Sequence, residues 1–114
     1  MSSFEDLEVW KKSCRLAVTL YGFMQECREY GLRDQMLRAA ISIPSNIAEG
    51  RERNSSREFQ RYLNIAKGSA AELRSQVYIA REVNLFSQQN AGHLLDELRS
   101  ISRMLQALHD SIKQ

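Results

Sequence analysis

Apolar residues recur along this chain at alternating steps of three and four, the rhythm of one helix face. Leu94, Leu98, Ile101, Leu105, Leu108 and Ile112 keep that rhythm unbroken. Phe59, Leu63, Ala66, Ala70, Leu73, Val77 and Ala80 form a second such stripe, and Leu32, Met36, Ala40, Ile43 and Ile47 a third. The pattern predicts helices over about Phe4 to Glu29, Leu32 to Glu49 and Ser55 to Asn84, with a fourth starting after Ser87. Ser3, Ser55 and Ser87 are the expected N-terminal caps, and Glu58 completes a capping box with Ser55. Gly31 and Gly50 are the expected helix stops, with Arg51 to Asn54 a polar connection. Short connections favour antiparallel neighbours, so the expected fold is an all-α, up-down-up-down four-helix bundle in one domain, residues 1–114.

The first helix carries two apolar seams. One is Leu7, Trp10, Cys14, Ala17, Tyr21 and Met24; the other is Val9, Leu16, Leu20, Phe23 and Cys27, with Ser13 at the missing step. Together they cover roughly half the helix circumference, whereas a bundle helix needs an apolar stripe of roughly 100°. Leu7 and Trp10 are expected in the core with Phe59, Leu63, Leu73, Leu98, Ile101 and Leu105. Val9, Leu16, Leu20 and Phe23 are then surplus. Ile65 and Ile79 fall off the core face of the third helix in the same way. Such surplus is best buried against another copy of the chain. These six residues are the expected oligomer interface.

The only proline, Pro44, lies in Ala39-Ala40-Ile41-Ser42-Ile43-Pro44-Ser45-Asn46-Ile47-Ala48-Glu49-Gly50, inside the second helical pattern. An interior proline removes one backbone donor and costs about 3 kcal/mol. The segment is therefore read as a kink. Ser42, Ser45 and Asn46 are placed to bond freed backbone groups, and Glu49 to meet a nearby arginine. A rival reading makes Ser45 and Glu49 catalytic. It lacks a histidine close in sequence to activate the serine.

Composition narrows the function classes. Over 114 residues, 43% hydrophobic and 26% charged side chains give an ordinary globular balance, with a net charge of +2. Residues 31–68 hold seven basic and four acidic side chains, so the positive excess is central. Arg51, Arg53, Arg57 and Arg61 cluster near the start of the third helix. Lys67, Arg74 and Arg81 follow every seventh residue along it, a row about 21 Å long. Copied around an oligomer, these rows would accumulate phosphate contacts of low sequence specificity. An acidic protein partner is the alternative. His93 and His109 stand sixteen residues apart on one helix, about 24 Å, too far to share a metal. Cys14 and Cys27 lack zinc spacing, so neither metal nor cofactor is expected. No apolar run approaches the ~20 residues of a membrane span. The expected location is the cytoplasm.

The opening Phe4-Glu5-Asp6-Leu7-Glu8-Val9-Trp10-Lys11-Lys12, the run Arg38 to Gly50, Phe59, Tyr62-Leu63-Asn64-Ile65-Ala66-Lys67-Gly68-Ser69 and Glu72-Leu73 resemble the bacterial family of 23S rRNA-intervening sequence proteins. The resemblance covers nearly the whole chain and implies a four-helix bundle. Genes of that family were first recognised inside insertions in large-subunit ribosomal RNA genes, although most members lie elsewhere. Its members are similar to the accessory protein of diversity-generating retroelements, a five-fold barrel that binds nucleic acid and partners a reverse transcriptase. The resemblance thus implies a homopentamer, RNA or DNA as a partner, and no established catalytic residue. Gln88, Gln89 and Asn90 depart from the acidic start usual for the last helix of the family. The expectation that follows is a non-enzymatic oligomeric scaffold or adaptor engaging nucleic acid, or an enzyme acting on it, through basic surface.

Overall fold

The computed structural model describes residues 3–113. A 3-10 turn, Phe4–Asp6, precedes α1 (Glu8–Phe23), α2 (Tyr30–Glu52), α3 (Ser56–Glu82) and α4 (Gln88–Ser111). The described residues contain no strand. The 27 residues of α3 span about 40 Å at the helical rise, close to the 45 Å long axis of the molecule. Contacts between neighbours run in opposite senses. Ser42 meets Ser69 and Gly50 abuts Tyr62 across α2 and α3, while Tyr78 meets Arg99 and Gln60 meets His109 across α3 and α4. Lys12 pairs with Glu97 of α4 at 2.9 Å, and Phe23 at the end of α1 stacks edge-on at 6.2 Å with Phe86, just before α4, so α1 and α4 also run antiparallel. The result is an all-α four-helix bundle.

The serine caps form as their spacing predicts. The Ser55 hydroxyl accepts the Glu58 amide at 3.2 Å and the Ser87 hydroxyl accepts that of Asn90 at 3.0 Å. Ser3 does the same for Glu5, but it caps only the 3-10 turn, so α1 begins at Glu8. That helix stops at Phe23, six residues short of Glu29, and α2 begins at Tyr30 with Gly31 inside it. The other expected stop also fails: α2 passes through Pro44 and through Gly50 to end at Glu52. The left-handed residues that close helices here are asparagines, Asn54 with φ 55° and Asn84 with φ 64°. Asparagine tolerates this region because its short side chain can bond locally.

The core is lined by Leu16 and Leu20 of α1, Met36, Ile43 and Ile47 of α2, Leu63, Leu73 and Val77 of α3, and Leu94, Leu98, Ile101 and Leu105 of α4. Phe59 joins them. This reverses the expected facing of α1. Val9, Leu16 and Leu20 are enclosed within one chain and offer nothing to a second copy, and Phe23 is half-buried against Phe86. Ser13 shares their face because its hydroxyl donates to the Trp10 carbonyl at 2.9 Å, which satisfies it without water. Leu7 and Trp10 lie only half-buried at the edge of the core, where Trp10 meets Phe4 edge-on at 5.2 Å. Seam spacing alone could not choose between the two faces. The choice falls to the aliphatic side chains that fit between α2 and α4, leaving the bulkier Trp10 and Tyr21 toward the rim.

Candidate functional site

The Pro44 segment is a docking strip between α2 and α3. Ser42, Asn46, Glu49, Gly50 and Arg53 recur at helical spacing and face α3. The Ser42 and Ser69 hydroxyls lie 2.8 Å apart. Asn46 Nδ2 donates to the Ser42 carbonyl at 2.7 Å and to its hydroxyl at 2.9 Å. Gly50 is buried, and a Cβ added there would lie 2.5 Å from Tyr62 Cβ. Its missing side chain is thus what lets the helices approach, and this explains a glycine inside a helix. The buried Tyr62 ring then organises charge around itself. Its hydroxyl donates to Glu49 Oε1 at 3.2 Å and accepts from Arg53 Nη2 at 2.8 Å, while Arg53 also donates to Glu49 at 3.1 Å. The guanidiniums of Arg53 and Arg61 stand 5.2 and 4.7 Å from the ring centroid. Ser45 is exposed, and Glu49 Oε1 is shared by Arg53 and Tyr62. Pro44 itself is buried within α2.

The seven predicted basic residues divide into two places. Arg51 and Arg53 close α2 while Arg57 and Arg61 open α3, so four arginines ring one end of the α2–α3 hairpin. Glu49, Glu52 and Glu58 share that end. Arg61 Nε donates to Glu58 at 2.9 Å, which holds the Glu58 carboxyl below its ordinary range and raises Arg61. Arg53 is raised chiefly by its bond to Glu49. Arg51 stands over the Phe59 ring at 5.7 Å, and Arg57 is exposed. Lys67, Arg74 and Arg81 lie half-buried along the side of α3 that meets α4. Lys67 donates to Gln106, and Arg81 stands over the Tyr78 ring at 5.2 Å. Across the same seam, Arg99 Nη2 donates to the Tyr78 hydroxyl at 2.7 Å. Sequence reading missed Arg99, because only the pairing of α3 with α4 brings it beside the row. Below it, His109 Nδ1 lies 3.0 Å from Asp110, and that bond, with a second from Gln106, holds the Asp110 carboxyl low.

The sequence model of the 23S rRNA-intervening sequence proteins matches residues 5–107, which include the whole docking strip and the α3 residues it meets. The chain belongs to that family. None of the curated proteins matches it. A crystal structure of a protein with unknown function from the S23 ribosomal protein family of Bacteroides thetaiotaomicron superposes with a TM-score of 0.84 at 25% identity. The match covers 90% of this chain and 99% of that one.

In this 23S rRNA-intervening sequence protein the apolar surplus lies elsewhere than Val9, Leu16 and Leu20. Val18, Tyr21 and Ile41 are 74%, 59% and 54% exposed. With Ala17, Gly22, Gln25 and Leu37 they line an open groove of about 480 Å³ between α1 and α2. On α3, Ile65 and Ile79 are exposed as expected, and Val83 and Tyr78 join them. Val18 was missed because it sits outside both seams of α1, and Ile41 because it sits outside the single stripe of α2. The signal available was two unpaired β-branched residues on otherwise polar faces. Among the described residues, no three His, Cys, Asp or Glu side chains gather as metal ligands, and no helix is long and apolar enough to cross a membrane.

Proposed function

We propose that this protein is a non-enzymatic, self-associating scaffold of the cytoplasm, whose copies present their α3 basic rows together to a nucleic acid or to an enzyme that works on one. The observation that carries this reading is the apolar surface left open on α1, α2 and α3, with Val18, Tyr21, Ile41 and Ile79 each more than half exposed. Exposed apolar groups that line a continuous groove are the usual mark of an interface. Of the polar residues in the Pro44 segment, Ser42 and Glu49 by contrast are engaged across to α3, and Asn46 bonds back to Ser42. A ring multiplies Lys67, Arg74, Arg81 and Arg99, and phosphate contacts add in proportion.

Sedimentation velocity at micromolar concentration tests the first half; a sedimentation coefficient of a single protomer rejects it. Titration with unrelated RNA and DNA at two salt concentrations tests the second. Binding that weakens steeply with salt supports a phosphate-led contact, and no binding at low salt rejects it. A second reading, an interaction module for an acidic protein, draws on the arginines of the hairpin end. Glu49 and Glu58 already neutralise Arg53 and Arg61 there, which leaves a short patch better matched to a peptide than to a polyanion.

A further inference from the structure

Tyr62 and Tyr78 are each held by two arginines, and they are held differently. Tyr62 is 8% exposed, its hydroxyl donates to Glu49, and Glu49 and Glu58 neutralise the arginines around it. Tyr78, on the seam between α3 and α4, is 38% exposed. Arg81 stands over its ring at 5.2 Å, and Arg99 Nη2 donates to its hydroxyl at 2.7 Å. That hydroxyl donates to no described residue, so its hydrogen is left for an outside acceptor. The cations continue along the seam. Arg74 lies one turn before Tyr78 on α3, and Arg103 one turn after Arg99 on α4. Neither makes a hydrogen bond or ion pair with a described residue. Arg99 and Arg81 do meet carboxylates, Asp96 at 3.3 Å and Glu82 at 3.7 Å, but both carboxylates are exposed and such pairs hold weakly. An accessible ring among cations that follow one line suits a single nucleic-acid strand: the cations track the backbone and the ring takes the face of a base. A duplex would use the cations and leave the ring idle, since its bases already stack on one another.

We infer that the α3–α4 seam around Tyr78 binds single-stranded nucleic acid, with a base stacked on Tyr78 and the phosphates held by Arg74, Arg99 and Arg103. This rests on the nucleic-acid reading proposed above and adds which form of nucleic acid is taken and where. Arg81 backs the ring and adds its own charge to the stack. Because every base has a face to stack, the contact selects strandedness rather than sequence.

Fluorescence anisotropy at low salt tests it, with labelled single-stranded RNA, single-stranded DNA and a DNA duplex of one length. At least one single strand is expected to bind more tightly than the duplex, and the tighter of the two identifies the source. Tyr78→Ala is expected to weaken single-strand binding about 5- to 100-fold, the loss of one base stack, and to leave the duplex no weaker. Tyr78→Phe keeps the ring and is expected to retain most of the affinity. Arg74→Gln removes a phosphate contact, so it is expected to weaken all probes alike and to flatten their salt dependence. Tyr78 is exposed, so circular dichroism should report native helix content for its variants. If Tyr78→Ala weakens single strand and duplex equally, or weakens neither, the ring is no stacking platform and the inference is overturned, while phosphate-led binding stands. A duplex bound as tightly as both single strands overturns it in the same way. If polyglutamate displaces the labelled strand as readily as unlabelled strand does, the seam reads charge alone and the inference is overturned. If no probe binds, this inference and the nucleic-acid reading fall together.

Discussion

Replacing Gly50 by alanine adds one methyl group where two helices touch. Its carbon would lie 2.5 Å from Tyr62 Cβ and 3.3 Å from both Phe59 Cδ1 and Tyr62 Cγ, against 3.4–4 Å for ordinary contact. The nearest atom belongs to the first carbon of the Tyr62 side chain, which no rotamer change can move. The backbones of α2 and α3 must therefore part by about 1 Å to restore normal contact. Overpacking of this kind costs about 1–3 kcal/mol. The same displacement stretches the Tyr62 bonds to Glu49 and Arg53, now 3.2 and 2.8 Å, each worth about 1 kcal/mol. Against this, alanine is favoured over glycine inside a helix by about 1 kcal/mol. The balance is a net loss of about 1–3 kcal/mol, or roughly 4–15 °C in Tm for a domain of this size. Urea denaturation followed by circular dichroism measures it. Gly68→Ala is the control: it is also helical, but nothing lies within 4 Å of an added Cβ. It should gain about 0.5–1 kcal/mol. Should Gly50→Ala be as stable as the unmodified protein, or rise alongside Gly68→Ala, the close-approach argument is refuted.

Leu20→Ala should lose about 2–5 kcal/mol and Val18→Ala less than about 0.5; equal effects in a denaturation series would contradict the facing of α1. Tyr62→Phe removes the hydroxyl from Glu49 and Arg53 and should cost about 1–2 kcal/mol, read from the shift in urea midpoint at constant m-value. An unchanged midpoint would mean the network is ornamental to stability. Acid should weaken the fold through Glu58 and Asp110. Their carboxyls are held low by Arg61 and by His109 with Gln106, so they stabilise above the unfolded carboxylate pKa of about 4, and that contribution is lost as pH falls through the folded value. Glu58→Gln should therefore lower the midpoint slightly at about pH 7 and not at about pH 2. A difference that persists in acid would point to something other than the carboxylate charge.

The stripes of α3 and α4 were legible because each helix has one unbroken apolar seam, and a single seam leaves no choice of orientation. The caps at Ser55 and Ser87 were legible because the bond each makes is only three residues long. α1 was not, since two seams of equal spacing compete and the winner depends on the gap left by α2 and α4. The glycines were misread for a related reason. A local rule knows glycine as a left-handed stop; Gly50 instead answers to Tyr62, twelve residues on and on another helix. The Pro44 segment was recognisable as a motif, and the family match spans it. What the motif does became visible only when Ser69 and Tyr62 were brought opposite it. Basic positions on α3 could be read off a helical wheel, but not Arg99, which joins them from another helix.

The contact at Gly50 has a mechanical corollary. Two helices separated by smooth side-chain ridges can slip past one another by a turn of about 5.4 Å. Here a slip would drive the Tyr62 ring out of its notch and against the bulk of Ile47 or the head of Arg53. The α2–α3 hairpin is thus keyed like a shaft in a slot, of fixed length and phase. A displacement at the Asn54 turn would move the two helices together toward the other end of the hairpin, beside Tyr30 and Val83.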